Sequence, residues 1–355
     1  MNLISKLGLT AVLAGAGVTV SALAMQGSSY SPVSQNYLLA PLASLASVVG
    51  ATASATPVAP AGPFDRQFTA KRVHLDKVVG QIELIVAPAG AMHVQAWGKP
   101  DTMKELQVRI VGEELYVRLD RHDEEAWFPW NLFNMWSAER RPADLTLRIA
   151  APSGTPYEME DISGNIAAGD LDAPVSLDGH SLSGRFGRVQ NAKVSLAGSG
   201  KVTFGPIRDQ LDVDIAGSGH VEAPSAAAAQ VEIAGGGEVI LGAIAQGLDI
   251  EIAGSGDVKA VSINGPLDVE IAGSGDVVVD GGTATSFKVE IAGSGDVTFK
   301  GHAVNPHIEI MGSGSVVLGS YTGELDKDIA GSGDVKVLGT APLPAPAGPP
   351  APPAH

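Results

Sequence analysis

Carboxylates recur through the second half of the chain at a spacing that would let them act together. Asp214, Glu232, Glu251, Glu270, Glu290, Glu309 and Asp328 each stand four residues ahead of the middle residue of a Gly-Ser-Gly triplet or its variant. A second set, Glu238, Asp257, Asp276, Asp296 and Asp334, follows such a triplet directly. If each repeat is one coil of stacked parallel strands, equivalent residues lie about 4.8 Å apart, and each set becomes a column of acids. Like charges at that spacing repel by roughly 1 kcal/mol per neighbour in water. Bound cations, nearby lysines or raised carboxyl pKa values would offset the repulsion. Calcium is the metal that such columns suggest, because it takes several oxygen ligands in loose geometry. The calcium-binding nonapeptide has a shorter period and separates its Gly from its Asp, whereas here Asp follows Gly at once. A solvated acidic face with diffuse counterions is the simpler alternative.

Aromatic residues supply the second candidate. AWFPWNLFNMW (Ala126–Trp136) holds three of the four tryptophans, between RHDEE and AERR. Trp127, Phe128, Trp130, Phe133 and Trp136 would suit sugar stacking, a protein interface or a membrane surface. They would equally serve as an apolar plug on the end of a repeat stack. Enzyme signatures are missing: there is no G-x-S-x-G elbow, no H-E-x-x-H and no phosphate loop. The triplet serines recur like building material, and His302 and His307 read as surface residues. Acid pairs such as Asp276 and Asp296 could serve a glycan-cleaving β-helix, yet nothing distinguishes one pair from its neighbours. The reading is therefore a non-enzymatic protein, with a glycan-acting enzyme as the alternative.

The elements that would position these groups come from one repeated phrase. VEIAGSGDV occurs at Val269–Val277 and again at Val289–Val297. Aligned copies begin their corner at Ala197, Ala216, Ala234, Ala253, Ala272, Ala292, Met311 and Ala330, at steps of 18 to 20 residues. DISGN (Asp161–Asn165) and SLSGR (Ser181–Arg185) read as two earlier turns. Such a period marks units that bury their apolar faces only by stacking. The predicted fold is all-β: a right-handed parallel β-helix of about 19 residues per coil, preceded by a β-rich N-terminal capping region. Ile271 and its equivalents should fill the core, with Glu270 facing solvent. Val269 and Ala272 read as sharing a face. Ahead of the repeats, LQVRIV, LYVRL, LTLRIA, IELIV and MHVQAW alternate as half-buried strands do. A solenoid has open ends that invite end-to-end self-association; a proline-rich tail would blunt the last one.

The predicted organisation is a signal peptide over 1–24, an Ala/Ser/Pro-rich linker over 25–63, the N-terminal β part over 64–155, repeats over 156–339 and a proline-rich tail over 340–355. Lys6, the apolar run from Leu7 and the Ala22-Leu23-Ala24 cleavage pattern imply export to periplasm, outer-membrane surface or exterior. A formal charge of −16 argues against nucleic acid as a partner. The absence of cysteine removes disulfides and thiolate metal sites. Between residues 195 and 337 there are 20 acids and 7 bases, so most of the charge belongs to the repeats.

The IAGSGDV repeats, preceded by alternating strands and an export-like leader, resemble the GIN-domain family, described as heads of autotransporter adhesins. The resemblance spans roughly residues 64 to 338. It implies a β-helical fold and an adhesive role at the cell surface or in the periplasm, with a glycan or protein as ligand. It implies no catalytic residues. A translocator would need a series of membrane-barrel strands, which the proline-rich end does not provide.

Overall fold

The computed structural model describes residues 64–88, 90–120 and 145–339. The expected leader, linker and tail, and the aromatic segment with Trp127, Phe128, Trp130, Phe133 and Trp136, lie outside them. Of the described residues 74% are strand, and they form a β-solenoid of about 10 turns spaced about 19 residues apart. Among the described residues the single helix is α1 (Pro100–Glu105).

Each regular coil has a leg entering the Gly-Ser-Gly corner and a leg leaving it. The entry legs lie in β10 (Ala192–Gly198), β12 (Gln210–Gly217), the ends of β13 (His220–Gly235), β14 (Glu238–Gly254) and β15 (Asp257–Gly273), then β17 (Gly282–Gly293), β19 (His307–Gly312) and β21 (Asp326–Gly331). The exit legs lie in β11 (Lys201–Thr203), the starts of β13, β14 and β15, then β16 (Asp276–Val279), β18 (Asp296–Val304), β20 (Ser315–Thr322) and β22 (Asp334–Val337). Neighbouring coils pair in parallel: Val269, Glu270, Ile271 and Ala272 face Val289, Glu290, Ile291 and Ala292.

Strand alternation decides what is inside. Val269 and Ile271 are buried, as are Val277 and Val279 on the exit leg and Ile263 and Leu267 on the return. Each such side chain contributes about 1.5–3 kcal/mol on leaving water. Glu270 faces solvent, as its position next to Ile271 requires. Ala272 is exposed beside it, so it shares a face with Glu270 and not with Val269. Phe287 and Phe299 stack inside at 5.5 Å between centroids, giving the small-residue core bulk.

The corner explains its own letters. Gly273 has φ of +141°, and a Cβ there would stand 2.1 Å from the carbonyl oxygen of Gly254 on the preceding coil. At Gly275 a Cβ would lie 2.3 Å from the Gly256 oxygen and 2.8 Å from Ile252 Cγ2. Ser274, between them, points outward and is exposed. The same corner recurs from Gly198 to Gly331. DISGN keeps a glycine at its bend, Gly164 at φ of +113° above Gly80, but buries Ser163 where the corner serines are exposed. SLSGR is displaced: Ser183 and Gly184 pair with Lys201 and Val202, beyond the corner, and Leu182 fills the corner place.

The region before the repeats does more than cap. Its strands β2 (Arg72–Asp76) and β3 (Val79–Ala87) form a coil lying between β8 (Tyr157–Ala168) on one side and β6 (Glu114–Leu119) with β7 (Thr146–Pro152) on the other. The chain thus enters at the second coil, makes the first, and returns to continue the stack through β8 and β9 (Val175–Arg185). Capping falls to antiparallel strands: β5 (Leu106–Val111) on β6, and β4 (Met92–Trp97) on β7, with β1 (Phe64–Phe68) on β4. At the opposite end β21 and β22 pair on one side only among the described residues.

Candidate binding surface

The solenoid turns sequence spacing into real columns. On the entry leg the register runs Ser195, Asp214, Glu232, Glu251, Glu270, Glu290, Glu309, Asp328, one residue per coil. Strand spacing sets these carboxylates about 4.8 Å apart at their backbones. Most are exposed and Glu290 is half-exposed. Two residues further along each strand runs a smooth column of Ala234, Ala253, Ala272 and Ala292, broken by Met311, which is 70% exposed.

A third column flanks the first and was not read from the sequence: Lys193, Asp212, Gln230, Asp249, Asp268, Lys288, His307, Asp326. Its signal is present two residues before each acid, in LDVEI, LDIEI, FKVEI and HIEI, and stepping the alignment by one more strand pair exposes it. This column carries the internal compensation. Lys288 Nζ donates to Glu290 at 2.7 Å and lies 3.9 Å from Asp268. The Glu290 hydrogen bond, with Asp268 nearby, raises the Lys288 pKa. His307 bridges Asp326 at 2.9 Å and Glu309 at 3.1 Å. The hydrogen bond to Asp326 leads in raising its pKa above the ordinary imidazole value. Asp249 has no such cation on its own coil; burial, then the charge of Asp268, push its pKa up. At Asp249 burial leads and repulsion follows, while cations answer the stacked acids at Lys288 and His307.

The exit-leg column aligns as His220, Glu238, Asp257, Asp276, Asp296, Ser315 and Asp334. Here the backbone engages the carboxylates of Asp257, Asp276 and Asp296. Asp276 N–H donates to Asp257, Asp296 N–H to Asp276, and Ser315 N–H to Asp296, at 3.3, 3.1 and 2.9 Å. Asp after the corner therefore plays a structural part by accepting the amide of the next coil. Glu238 receives Lys259 at 2.9 Å and His220 at 3.2 Å, and the lysine bond leads in lowering its pKa.

Among the described residues, no three His, Asp or Glu side chains gather as a metal ion would require. The entry-leg and exit-leg sets stay on separate faces around the corner. A groove of about 170 Å³ runs along the entry leg between the acid and alanine columns, lined by Glu270, Glu290, Glu309, Ala272, Ala292 and Met311. The aromatic segment is not described, but its attachment is: it joins β6 to β7, the two strands of the first coil. No described helix is long and apolar enough to cross a membrane.

Residues 77–259 and 243–341 each match the family described as "Putative auto-transporter adhesin, head GIN domain". Among solved structures, the chain is similar to a putative lipid binding protein from Parabacteroides distasonis at 18% identity, covering 78% of this chain and 97% of that one, with a TM-score of 0.40. It is similar also to a putative adhesin from Bacteroides fragilis at 15% identity, covering 77% and 96%, with a TM-score of 0.26. A putative adhesin from Parabacteroides distasonis gives 13% identity, coverage of 77% and 96%, and a TM-score of 0.27. No curated protein matches the chain.

Proposed function

The chain belongs to the head GIN-domain family of putative auto-transporter adhesins, and from that premise we propose that it is an exported envelope protein with an adhesive role, a stiff solenoid whose acidic entry leg meets its partner. The observation that carries this reading is the in-register acid column from Asp214 to Asp328, beside an exposed alanine column, on one face. A solenoid core needs only the inward residues to be uniform. Uniform outward acids cost repulsion that the core does not require.

Such a face favours a cationic partner, or an anionic or glycan surface reached through divalent cations. Calcium suits the second case, since a pair of carboxylates on adjacent coils with water and partner oxygens would complete its shell. The leader pattern supports export; the compartment is left among periplasm, outer-membrane surface and exterior. The aromatic residues Trp127 to Trp136 are a second contact zone under this reading, attached at the first coil.

The test uses beads bearing the full chain on surfaces coated with oligolysine or with neutral dextran, in sodium alone and with added calcium. Retention on oligolysine should fall as salt rises. It should fall several-fold when Glu251, Glu270 and Glu290 are replaced together by Gln. Equal retention on dextran and oligolysine, or by the neutralised variant, would overturn the assignment of this face.

A further inference from the structure

The last coil departs from all others at one position. The inward column of the entry leg reads Val194, Val213, Val231, Ile250, Val269, Val289, Ile308, and every one of these is buried. Its next member is Lys327, directly opposite Ile308, and it is exposed. Strand alternation puts Lys327 on the core face with Leu325 and Ile329, on the last described layer of the stack. No acid partners its ammonium among the described residues. Around it Leu325, Ile329, Val335 and Val337 are only partly buried, and Leu338 is 58% exposed. The outer edges of β21 and β22 have no strand beside them among the described residues.

Open strand edges backed by apolar side chains are templates for pairing, and an inward-pointing charge is a recognised way of blocking them. From this we infer that Lys327 is a stop residue: its charge on the core face prevents the terminal coil of one molecule from stacking on that of a second copy. Stacking would bury the ammonium between two apolar layers without an acid to receive it, a cost that the partly buried leucine, isoleucine and valines do not offset. The opposite end gives the reaction its stoichiometry. There the first coil is already covered by antiparallel β4 and β5. Among the described residues the terminal-coil edge occurs at one end, while β1 and β5 present a different, antiparallel edge at the other, so pairing of like terminal coils should give a closed two-fold dimer.

The experiment is sedimentation or light scattering of the full chain with Lys327→Val, the residue type that equivalent coils carry, and with Lys327→Met, which keeps the stem and removes the charge. Lys327→Arg is the control. The wild type and the Arg variant should be monomeric, while the Val and Met variants double in mass. Because the chain has no cysteine, single probes can say which end pairs. In the Lys327→Val background a bifunctional thiol cross-linker should capture dimers through Asp334→Cys at the terminal coil and not through Asp101→Cys on α1. Folded Val and Met variants that both stay monomeric would overturn the inference. So would a wild type that already pairs through Asp334→Cys, or a Val dimer captured at Asp101→Cys.

Discussion

The corner glycines offer the sharpest quantitative test of how the repeat works. Replacing Gly273 by Ala would force an L residue to hold φ of +141° and would place its Cβ 2.1 Å from a backbone oxygen. Backbone strain of this kind costs about 1–3 kcal/mol. Overpacking against a neighbour that cannot yield adds about 1–3 kcal/mol more. The neighbour is the carbonyl of Gly254, itself at a corner, so it cannot move without disturbing the coil below. We expect Gly273→Ala to cost about 3 kcal/mol or more, which is a large part of the stability of an ordinary domain. Ser274→Ala, one residue on and exposed, should fall within about 0.5 kcal/mol of wild type. An internal control comes from the one corner written Gly-Gly-Gly: a Cβ on Gly236 meets only Ser255 Oγ, at 3.7 Å. Gly236→Ser should be neutral, or stabilising by about 0.4–1 kcal/mol through the unfolded chain. Urea unfolding followed by circular dichroism measures all three, and midpoints at constant slope rank them. If Gly273→Ala and Ser274→Ala unfold at the same urea concentration, the close stacking of corner on corner is wrong.

Ile271→Ala should cost about 2–5 kcal/mol, the range for emptying a packed core site, whereas Ala272→Ser should leave the urea midpoint almost unmoved. Glu251→Gln removes a charge between Glu232 and Glu270 and should raise the melting temperature slightly at low salt; the gain should vanish in high salt, where screening already supplies it. The His307 clasp should be pH-dependent. Its folded pKa is raised by Asp326 and Glu309, with Lys288 on the other side, so its stabilising contribution is full below the ordinary imidazole value and is lost as pH rises through the folded one. Hydrogen exchange in β21, corrected for the intrinsic rate, should therefore be slower on the acid side of neutrality, and His307→Gln should abolish the difference.

Much of this architecture is legible in the chain because one geometric problem is solved repeatedly. The step between copies identifies the coil, the alternation Val-Glu-Ile identifies the core face at Ile271, and the acids fall into register once the coils stack. Four things were out of reach for physical reasons. Coil order at the start is not sequence order: β2 and β3 form the second coil, and only a later pairing with β6 and β7 shows it. SLSGR carries the right letters at the wrong place, since Leu182 can occupy a corner that elsewhere demands glycine. The third column does not stand out in the sequence because Lys288 and His307 interrupt its acids, and those two residues are the ones that bridge neighbouring carboxylates. The hydrogen bonds from each backbone amide to the preceding aspartate give Asp276 and Asp296 a role that no count of acids could reveal.

The central claim is that the acid columns are a working surface and not merely a solvated one. Its most direct test is the melting temperature of the full chain in calcium, in magnesium and in sodium alone, all at matched ionic strength, beside the variant with Glu251, Glu270 and Glu290 changed to Gln. The calcium-bridged form of that surface predicts a rise with calcium beyond that in sodium, smaller with magnesium because it keeps its water, and absent in the neutralised variant. Identical melting in all three salts, or a calcium response that survives neutralisation of the column, would contradict it.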